Sequence, residues 1–170
     1  DSIDVGKSLS EVAHHYQVKG QRGRLQRDTA GYGSDFDAAF SDEGRWTNGS
    51  SSFSVQIDPG NDGVRLRRRI NQEAYHQEVK VYVDDKFAGT WFEQGANYYL
   101  NKRMYYNDSL PNWEKQDIIA RFRDTEFNIP ASLTKGKSSL RIRLESKGSL
   151  SFHKESAGLT NVYYYRVYCY

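Results

Sequence analysis

The sequence predicts an all-β domain, an antiparallel β-sandwich with the jelly-roll arrangement. Apolar and polar residues alternate in several short segments, few segments show a helical period, and clusters of turn-forming residues separate them. About eight such strands are enough for two sheets that cover each other. We therefore expect residues 1–170 to form a single β-sandwich domain, excised from a larger modular protein.

Alternation predicts two strands in the amino-terminal half. Residues 51–57 place Phe53, Val55 and Ile57 on one side, and residues 64–70 place Val64, Leu66, Arg68 and Ile70 on one side. The other side of the second strand carries Arg65, Arg67 and Arg69, which we interpret as a solvated face paired with acidic residues, the alternative being a site for an acidic partner. Residues 19–35 are expected to form a loop, and Asn48-Gly49 is typical of a hairpin turn.

The stretch 79–145 shows the clearest strand pattern. Residues 79–92 predict a β-hairpin that turns at Asp84-Asp85-Lys86. Residues 117–130 and 139–145 predict two further strands joined by a turn at 131–138. The carboxy-terminal residues 162–170 are expected to form a closing strand that pairs near the amino-terminal one.

Composition excludes several classes of protein. The formal net charge is +2, which is too balanced for an obligatory nucleic-acid binder. The one cysteine, Cys169, excludes an internal disulfide and a cysteine-rich zinc site, and no run of apolar residues is long enough to span a membrane. We expect a monomeric protein that is secreted, periplasmic or at the cell surface of a bacterium.

The chain carries no recognisable catalytic motif, and the domain is not expected to be an enzyme. An alternative is a glycosidase that uses paired carboxylates such as Glu93 and Asp124. No cofactor is expected. Residues 58–62 could hold a structural Ca²⁺, although a turn without metal is the preferred interpretation. The pair His14-His15 suits shared metal ligation poorly, because adjacent strand residues point to opposite faces.

Aromatic residues give the strongest functional signal. Exposed Trp and Tyr rings can stack on the apolar faces of sugars while neighbouring polar groups bond the hydroxyls. For Trp91 a place in the core is the competing interpretation. The candidate carbohydrate-binding residues are Trp46, Trp91, Glu93, Asn97, Tyr98, Tyr99, Tyr105, Tyr106 and Trp113.

Several segments resemble a known family. They are Ser10-Glu11 with His14, then Arg45, Gly49 and Phe53, then the hairpin segment 81–88, and above all residues 122–144. Together they resemble the β-sandwich accessory domains of bacterial glycoside hydrolases, notably β-L-arabinofuranosidase-type enzymes. Residues 122–144 are also similar to the closing jelly roll of an arabinan- and fructan-acting glycosidase family once known only as a domain of unknown function.

This resemblance implies a carbohydrate-binding module that uses aromatic stacking and hydrogen bonds to target an attached glycoside hydrolase to polysaccharide. The implied partners are a plant or microbial polysaccharide and the attached catalytic domain. The sequence leaves two alternatives open: the glycosidase named above, and a structural spacer domain that packs on a catalytic neighbour.

Overall fold

The computed structural model describes residues 1–20, 24–32, 35–71, 74–95, 122–151 and 160–170. Strands dominate these residues, and two short helices accompany them. The strands are β1 (Ser2–Asp4), β2 (Gln17–Lys19), β3 (Arg24–Tyr32), β4 (Asp35–Thr47), β5 (Ser50–Gln56), β6 (Gly63–Asn71), β7 (Ala74–Val83), β8 (Lys86–Glu93), β9 (Phe122–Pro130), β10 (Ser139–Ser151), β11 (Thr160–Val162) and β12 (Tyr164–Cys169). The helices are α1 (Ser8–Ala13) and α2 (Ala131–Thr134).

The strands form two main sheets and a smaller third one. The four-stranded sheet has the order β1-β12-β6-β9, and the five-stranded sheet has the order β2-β5-β10-β7-β8. A three-stranded sheet, β11-β4-β3, lies beside them, and every pairing is antiparallel. This arrangement confirms the prediction of an antiparallel all-β sandwich.

The core lies between the two main sheets, because each contributes the apolar side of its alternating strands. The four-stranded sheet supplies Ile3, Val64, Leu66, Ile129, Tyr165 and Val167, and the five-stranded sheet supplies Phe53, Val55, Val79, Val81, Val83, Trp91, Leu140, Ile142 and Leu144. The rings of Phe53 and Tyr165 stack across the interface with centroids 4.4 Å apart. Burial of these side chains is the main force that holds the sheets together.

The alternation of apolar and polar residues correctly predicted which side chains of the strands around β5 and β6 point inward. Phe53, Val55 and Ile57 are buried, as are Val64, Leu66, Arg68 and Ile70. The predicted hairpin is also present, since β7 pairs with β8 and the chain turns at Asp84 and Asp85. The predicted closing strand is β12, and it pairs with β1 as expected.

Two local predictions were wrong, and a third, the turn at 131–138, was correct. Most of the predicted loop 19–35 is strand, because β3 pairs with β4 over nearly its whole length. Asn48-Gly49 does not close a hairpin: it carries the chain from β4 in the three-stranded sheet to β5 in the five-stranded sheet. The predicted turn 131–138 contains the helical turn α2. Residues 117–121, predicted as strand, lie outside the described residues.

Close packing of the backbone explains why residue 49 is a glycine. A Cβ atom at this position would lie 1.8 Å from the carbonyl oxygen of Lys19, closer than any side chain allows. The strands β2 and β5 approach each other here, where Lys19 is the register partner of Ser50. The close approach, and not a hairpin turn, therefore accounts for this glycine.

Among the described residues, no helix is long and apolar enough to cross a membrane. The same part of the chain brings no three His, Cys, Asp or Glu side chains together as a metal site. In the segment 58–62, the Asp58 carboxylate accepts the Gly60 amide at 2.8 Å, and Asp62 pairs with Lys135 at 2.8 Å. Ca²⁺ binding by this segment stays a prediction.

Candidate functional site

The structure places three of the candidate carbohydrate-binding residues. Trp46 and Trp91 are only 3% and 2% exposed, so neither ring faces solvent as a carbohydrate-binding ring must. The interpretation of Trp91 as a core residue is confirmed. The alternation of β8 turns Trp91 inward, where it stacks on Phe127 at 5.7 Å, and Trp46 packs with Ala74. Glu93 is half-buried and accepts a hydrogen bond from Trp91 Nε1 at 3.1 Å. The remaining candidates, Asn97, Tyr98, Tyr99, Tyr105, Tyr106 and Trp113, lie outside the described residues.

The exposed aromatic rings of the five-stranded sheet lie on its outer face, opposite the core. Phe87 and Phe92 on β8 are 56% and 53% exposed. Tyr82 on β7 is the cross-strand partner of Phe87, and the two rings meet edge to face at 5.6 Å. Arg143 on β10 is the register partner of Tyr82, and its guanidinium lies 3.9 Å from the centre of that ring. This aromatic cluster consists of Tyr82, Phe87 and Arg143. Phe92 lies further along the same face, opposite Glu78, and its ring centre is 5.9 Å from that of His76.

A polar depression opens on the other side of the same face. Its cavity volume is about 130 Å³, and it is lined by His15, Gln17, Ser52, Phe53, Ser54 and Arg141. The lining offers hydroxyl, amide, imidazole and guanidinium groups, which can both donate and accept hydrogen bonds. Within the described chain the Arg141 guanidinium has no hydrogen-bond partner, so its donors are available to a ligand.

The depression and the aromatic cluster are joined by one register row across the sheet. Gln17 pairs with Ser52, Ser52 with Arg143, and Arg143 with Tyr82, which in turn pairs with Phe87. Five strands at a spacing of about 4.8 Å make this row roughly 19 Å long. The outer face therefore offers hydrogen-bonding groups at one end and aromatic surface at the other. We call this row, with the depression and the aromatic cluster, the ligand face.

The outer face of the four-stranded sheet is different, because its charges pair with one another. Arg67 donates to Glu126 from Nε at 2.9 Å and from Nη2 at 2.6 Å, and Arg69 donates to Asp124 at 3.0 Å. These pairs agree with the interpretation of the arginine row as a solvated face. These ion pairs also occupy the guanidinium groups that an acidic partner would have to bind.

Two arginine side chains of this face contact the ring of Tyr164. The guanidinium of Arg69 lies 4.7 Å from the ring centre, and that of Arg166 lies 4.2 Å from it. Its hydroxyl donates to Asp124, and burial together with this hydrogen bond raises the pKa of Tyr164 to about 12. The ring and the hydroxyl of Tyr164 are therefore both engaged by neighbouring side chains of the same sheet.

The two carboxylates of the alternative glycosidase do not converge. Asp124 lies on the outer face of the four-stranded sheet, where it bonds Arg69 and Tyr164. Glu93 bonds the indole of Trp91, which is buried in the core. A glycosidase needs both carboxyl groups on the same substrate bond, so this arrangement does not favour that alternative.

Sequence reasoning missed the ligand face, although the signal was present. Once Val79, Val81 and Val83 point inward, Lys80 and Tyr82 must point outward, and the hairpin brings Phe87 opposite Tyr82. The depression had no comparable signal, because it depends on strands that are distant in the chain.

The solved structures that are similar to the chain include the following three. One is a family 35 carbohydrate-binding module from an environmental isolate, with a TM-score of 0.54 and 16% identity, covering 99% of this chain and 92% of that one. A second is the carboxy-terminal family 6 carbohydrate-binding module of the marine laminarinase LamC from Zobellia galactanivorans, with a TM-score of 0.47 and 10% identity, covering 98% and 97%. The third is the ANX1 ectodomain from Arabidopsis thaliana, with a TM-score of 0.49 and 10% identity, covering 99% and 40%.

No protein-family model and no curated protein sequence matches the chain. The likeness to the family 35 module confirms the β-sandwich fold, which the chain shares with a carbohydrate-binding module.

Proposed function

We propose that this protein is a non-catalytic carbohydrate-binding module that holds an attached glycoside hydrolase near plant or microbial polysaccharide. The fold shared with a family 35 carbohydrate-binding module supports this role. We further propose that it works outside the cytoplasm, where polysaccharide is found. The ligand face is the observation that carries the proposal.

The chemistry of the ligand face suits a sugar chain. The exposed ring of Phe87, with Tyr82 beside it, presents apolar surface to the C–H groups of a sugar ring, and burying that surface is favourable. The Ser52, Ser54 and Arg141 side chains line the depression, where they can bond hydroxyl groups. A neutral polysaccharide needs both kinds of contact, and a row of roughly 19 Å can meet several sugar units.

The expected affinity is weak. The depression is open and its volume is about 130 Å³, well below the roughly 300–1,000 Å³ of pockets that enclose a small ligand. An open face removes little ligand surface from water, so each sugar unit contributes modestly.

A binding screen tests the proposal. The isolated chain is assayed against arabinans, xylans, pectins, β-glucans and fructans on a glycan array and by affinity electrophoresis. The variants Tyr82→Ala and Phe87→Ala should each weaken binding about tenfold, the effect of losing roughly 1.4 kcal/mol of contact energy. The matched control is Tyr168→Ala, which removes an exposed ring (44% exposed) from the opposite sheet and should leave binding unchanged.

The variant Trp113→Ala separates the ligand face from the aromatic stretch 97–113, which holds the candidate residues that lie outside the described part of the chain. Loss of binding in Trp113→Ala with retention in Phe87→Ala would assign the glycan to that stretch. A folded chain that binds none of the polysaccharides would overturn the proposed function.

A structural spacer is the second candidate function, and α1 favours it. Leu9 and Val12 are 89% and 75% exposed and lie one helical turn apart, so they present an apolar strip to solvent. Such a strip suits contact with a neighbouring domain. If the chain is a spacer, Leu9→Ser with Val12→Ser should loosen a catalytic neighbour in limited proteolysis, and polysaccharide binding should be absent.

A further inference from the structure

Arg68 is a cation in the middle of the sandwich. It lies on the inward side of β6 with Val64, Leu66 and Ile70, and it is 2% exposed. Burial lowers the pKa of its guanidinium below the ordinary value, while Tyr165 and Glu93 act in the opposite direction. Arginine keeps its proton in proteins, so a full positive charge lies between the sheets.

The contacts that Arg68 makes do not use all its donors. The guanidinium carbon lies 4.4 Å from the centre of the Trp91 ring, a favourable cation–π contact. Its Nε and Nη2 atoms are buried, and within the described part of the chain neither has a hydrogen-bond partner. Buried donors on a charged group are costly to leave unpaired, which makes a missing partner the simplest explanation.

A small internal cavity lies beside Arg68, at the junction of the three sheets. Its volume is about 10 Å³, and it is lined by Thr47, Ser51, Arg68, Val79, Leu144, Ser146, Thr160, Val162 and Tyr165. A cavity of this size has room for about one water-sized particle. It is too small for sulfate, phosphate or a sugar.

Two of the hydroxyl groups that line the cavity, those of Thr47 and Ser146, can donate into it. The lining also includes the hydroxyl groups of Ser51, Thr160 and Tyr165, and that of Thr160 donates to the Thr47 carbonyl oxygen at 3.1 Å. The Thr47 hydroxyl oxygen accepts the Gly49 amide at 3.0 Å, and the Ser146 hydroxyl oxygen accepts the Gly148 amide at 3.2 Å. The hydrogen of each hydroxyl is therefore free to point into the cavity. No carboxylate lines the cavity. Among the described residues, the buried positive charge of Arg68, its two unpaired donors and the lack of a carboxylate in the lining favour an anion at this position.

We propose that this cavity binds a single halide ion, chloride under physiological conditions, held by Arg68 with Thr47 and Ser146. The ion supplies the partner that the Nε and Nη2 donors lack. It also links the three sheets, because Arg68, Thr47 and Ser146 belong to β6, β4 and β10. The site is independent of the ligand face and of the proposed function.

Thermal unfolding of the whole chain tests the proposal. The unfolding midpoint is measured in sodium chloride and in sodium gluconate at equal ionic strength, because gluconate is too large for the cavity. A chloride concentration about tenfold above the Kd should raise the midpoint by about 3–6 °C. The variant Arg68→Met should lose this difference, and the control Arg65→Met, which removes a half-exposed arginine from the outer face, should keep it. Equal unfolding midpoints for the wild-type chain in the two salts would overturn the proposed halide site.

Diffraction keeps the proposal testable if Arg68→Met does not fold. Crystals of the wild-type chain grown in sodium bromide should show an anomalous scattering peak within hydrogen-bond distance of Arg68 Nε or Nη2. A density without anomalous signal would identify a water and overturn the proposal. A bromide peak without any chloride effect on the midpoint would show binding at crystal concentration only, which would also overturn it.

Discussion

Glu11 joins the helix α1 to the rest of the fold through its carboxylate. Arg45 on β4 donates to both carboxylate oxygens at 2.7 Å, and the Gly6 amide donates to one of them at 2.8 Å. Burial alone would raise the pKa of Glu11, but these hydrogen bonds outweigh it and bring the pKa below its ordinary value of 4.5. The charged form of Glu11 therefore stabilises the folded state.

We expect Glu11→Gln to lower the free energy of unfolding near neutral pH by roughly 1–3 kcal/mol, since it weakens charge-assisted hydrogen bonds. Because the folded pKa lies below the unfolded one, the contribution of Glu11 is present above about pH 4.5 and is lost as pH falls through the folded pKa. Urea unfolding at a series of pH values should show a shallower acid decline for the variant. Glu78→Gln on the outer face is the control, and equal pH slopes for Glu11→Gln and the wild-type chain would contradict this role.

The hairpin β7–β8 shows how a turn sets the register of an element. Asp84 and Asp85 have φ angles of 47° and 64°, so both central residues of the turn are left-handed, as a type I′ turn requires. Asp84 is also held by contacts: its carboxylate accepts the Arg141 amide at 2.9 Å and pairs with Lys137 at 2.7 Å. Burial raises the pKa of Asp84, but these contacts reverse the effect and lower it. Asp85 is 70% exposed, and its contact with Arg143 is 3.6 Å long.

The turn predicts opposite effects for two similar substitutions. Asp85→Gly should raise the free energy of unfolding by up to about 1 kcal/mol, because glycine removes left-handed strain and the exposed ion pair contributes little. Asp84→Gly relieves similar strain but loses the bonds to Arg141 and Lys137, so it should lower that free energy by about 1–2 kcal/mol. Chemical denaturation of both variants measures the difference. A stabilising Asp84→Gly would show that these bonds contribute nothing.

At the scale of the whole molecule, the first and last strands close the sandwich together. β1 pairs with β12, and Ile3 is the register partner of Tyr165. β12 in turn pairs with β6 on its other side. Ile3 and Val5 are fully buried. The two ends of the chain therefore complete the same sheet, and neither can cover the core alone.

Ile3→Ala should lower the free energy of unfolding by about 2–5 kcal/mol, the usual cost of a cavity in a closed core. Ser2→Ala changes an exposed neighbour on the same strand and should change that free energy by less than about 0.5 kcal/mol. Urea unfolding followed by tyrosine fluorescence compares the variants. Equal midpoints would mean that β1 is not part of the cooperative core.

Much of the fold was predictable because local alternation determines which side of a strand is apolar. The inward residues of β5 and β6, the hairpin at Asp84-Asp85 and the all-β class all follow from that pattern. Even Arg68 was assigned to the buried side of β6 by its position alone. Alternation does not, however, identify which strand lies next to which.

The tertiary structure decided what depends on contacts between distant segments. It made β3 a strand by pairing it with β4, and it turned Asn48-Gly49 into a crossing between sheets. It buried Trp46 and Trp91, and it assembled the polar depression from three strands that are far apart in the chain. The sequence by itself determined the faces of the strands, because a side chain's face follows from its immediate neighbours. Only the tertiary structure determined the sites, because each is made of faces that long-range pairing brings together.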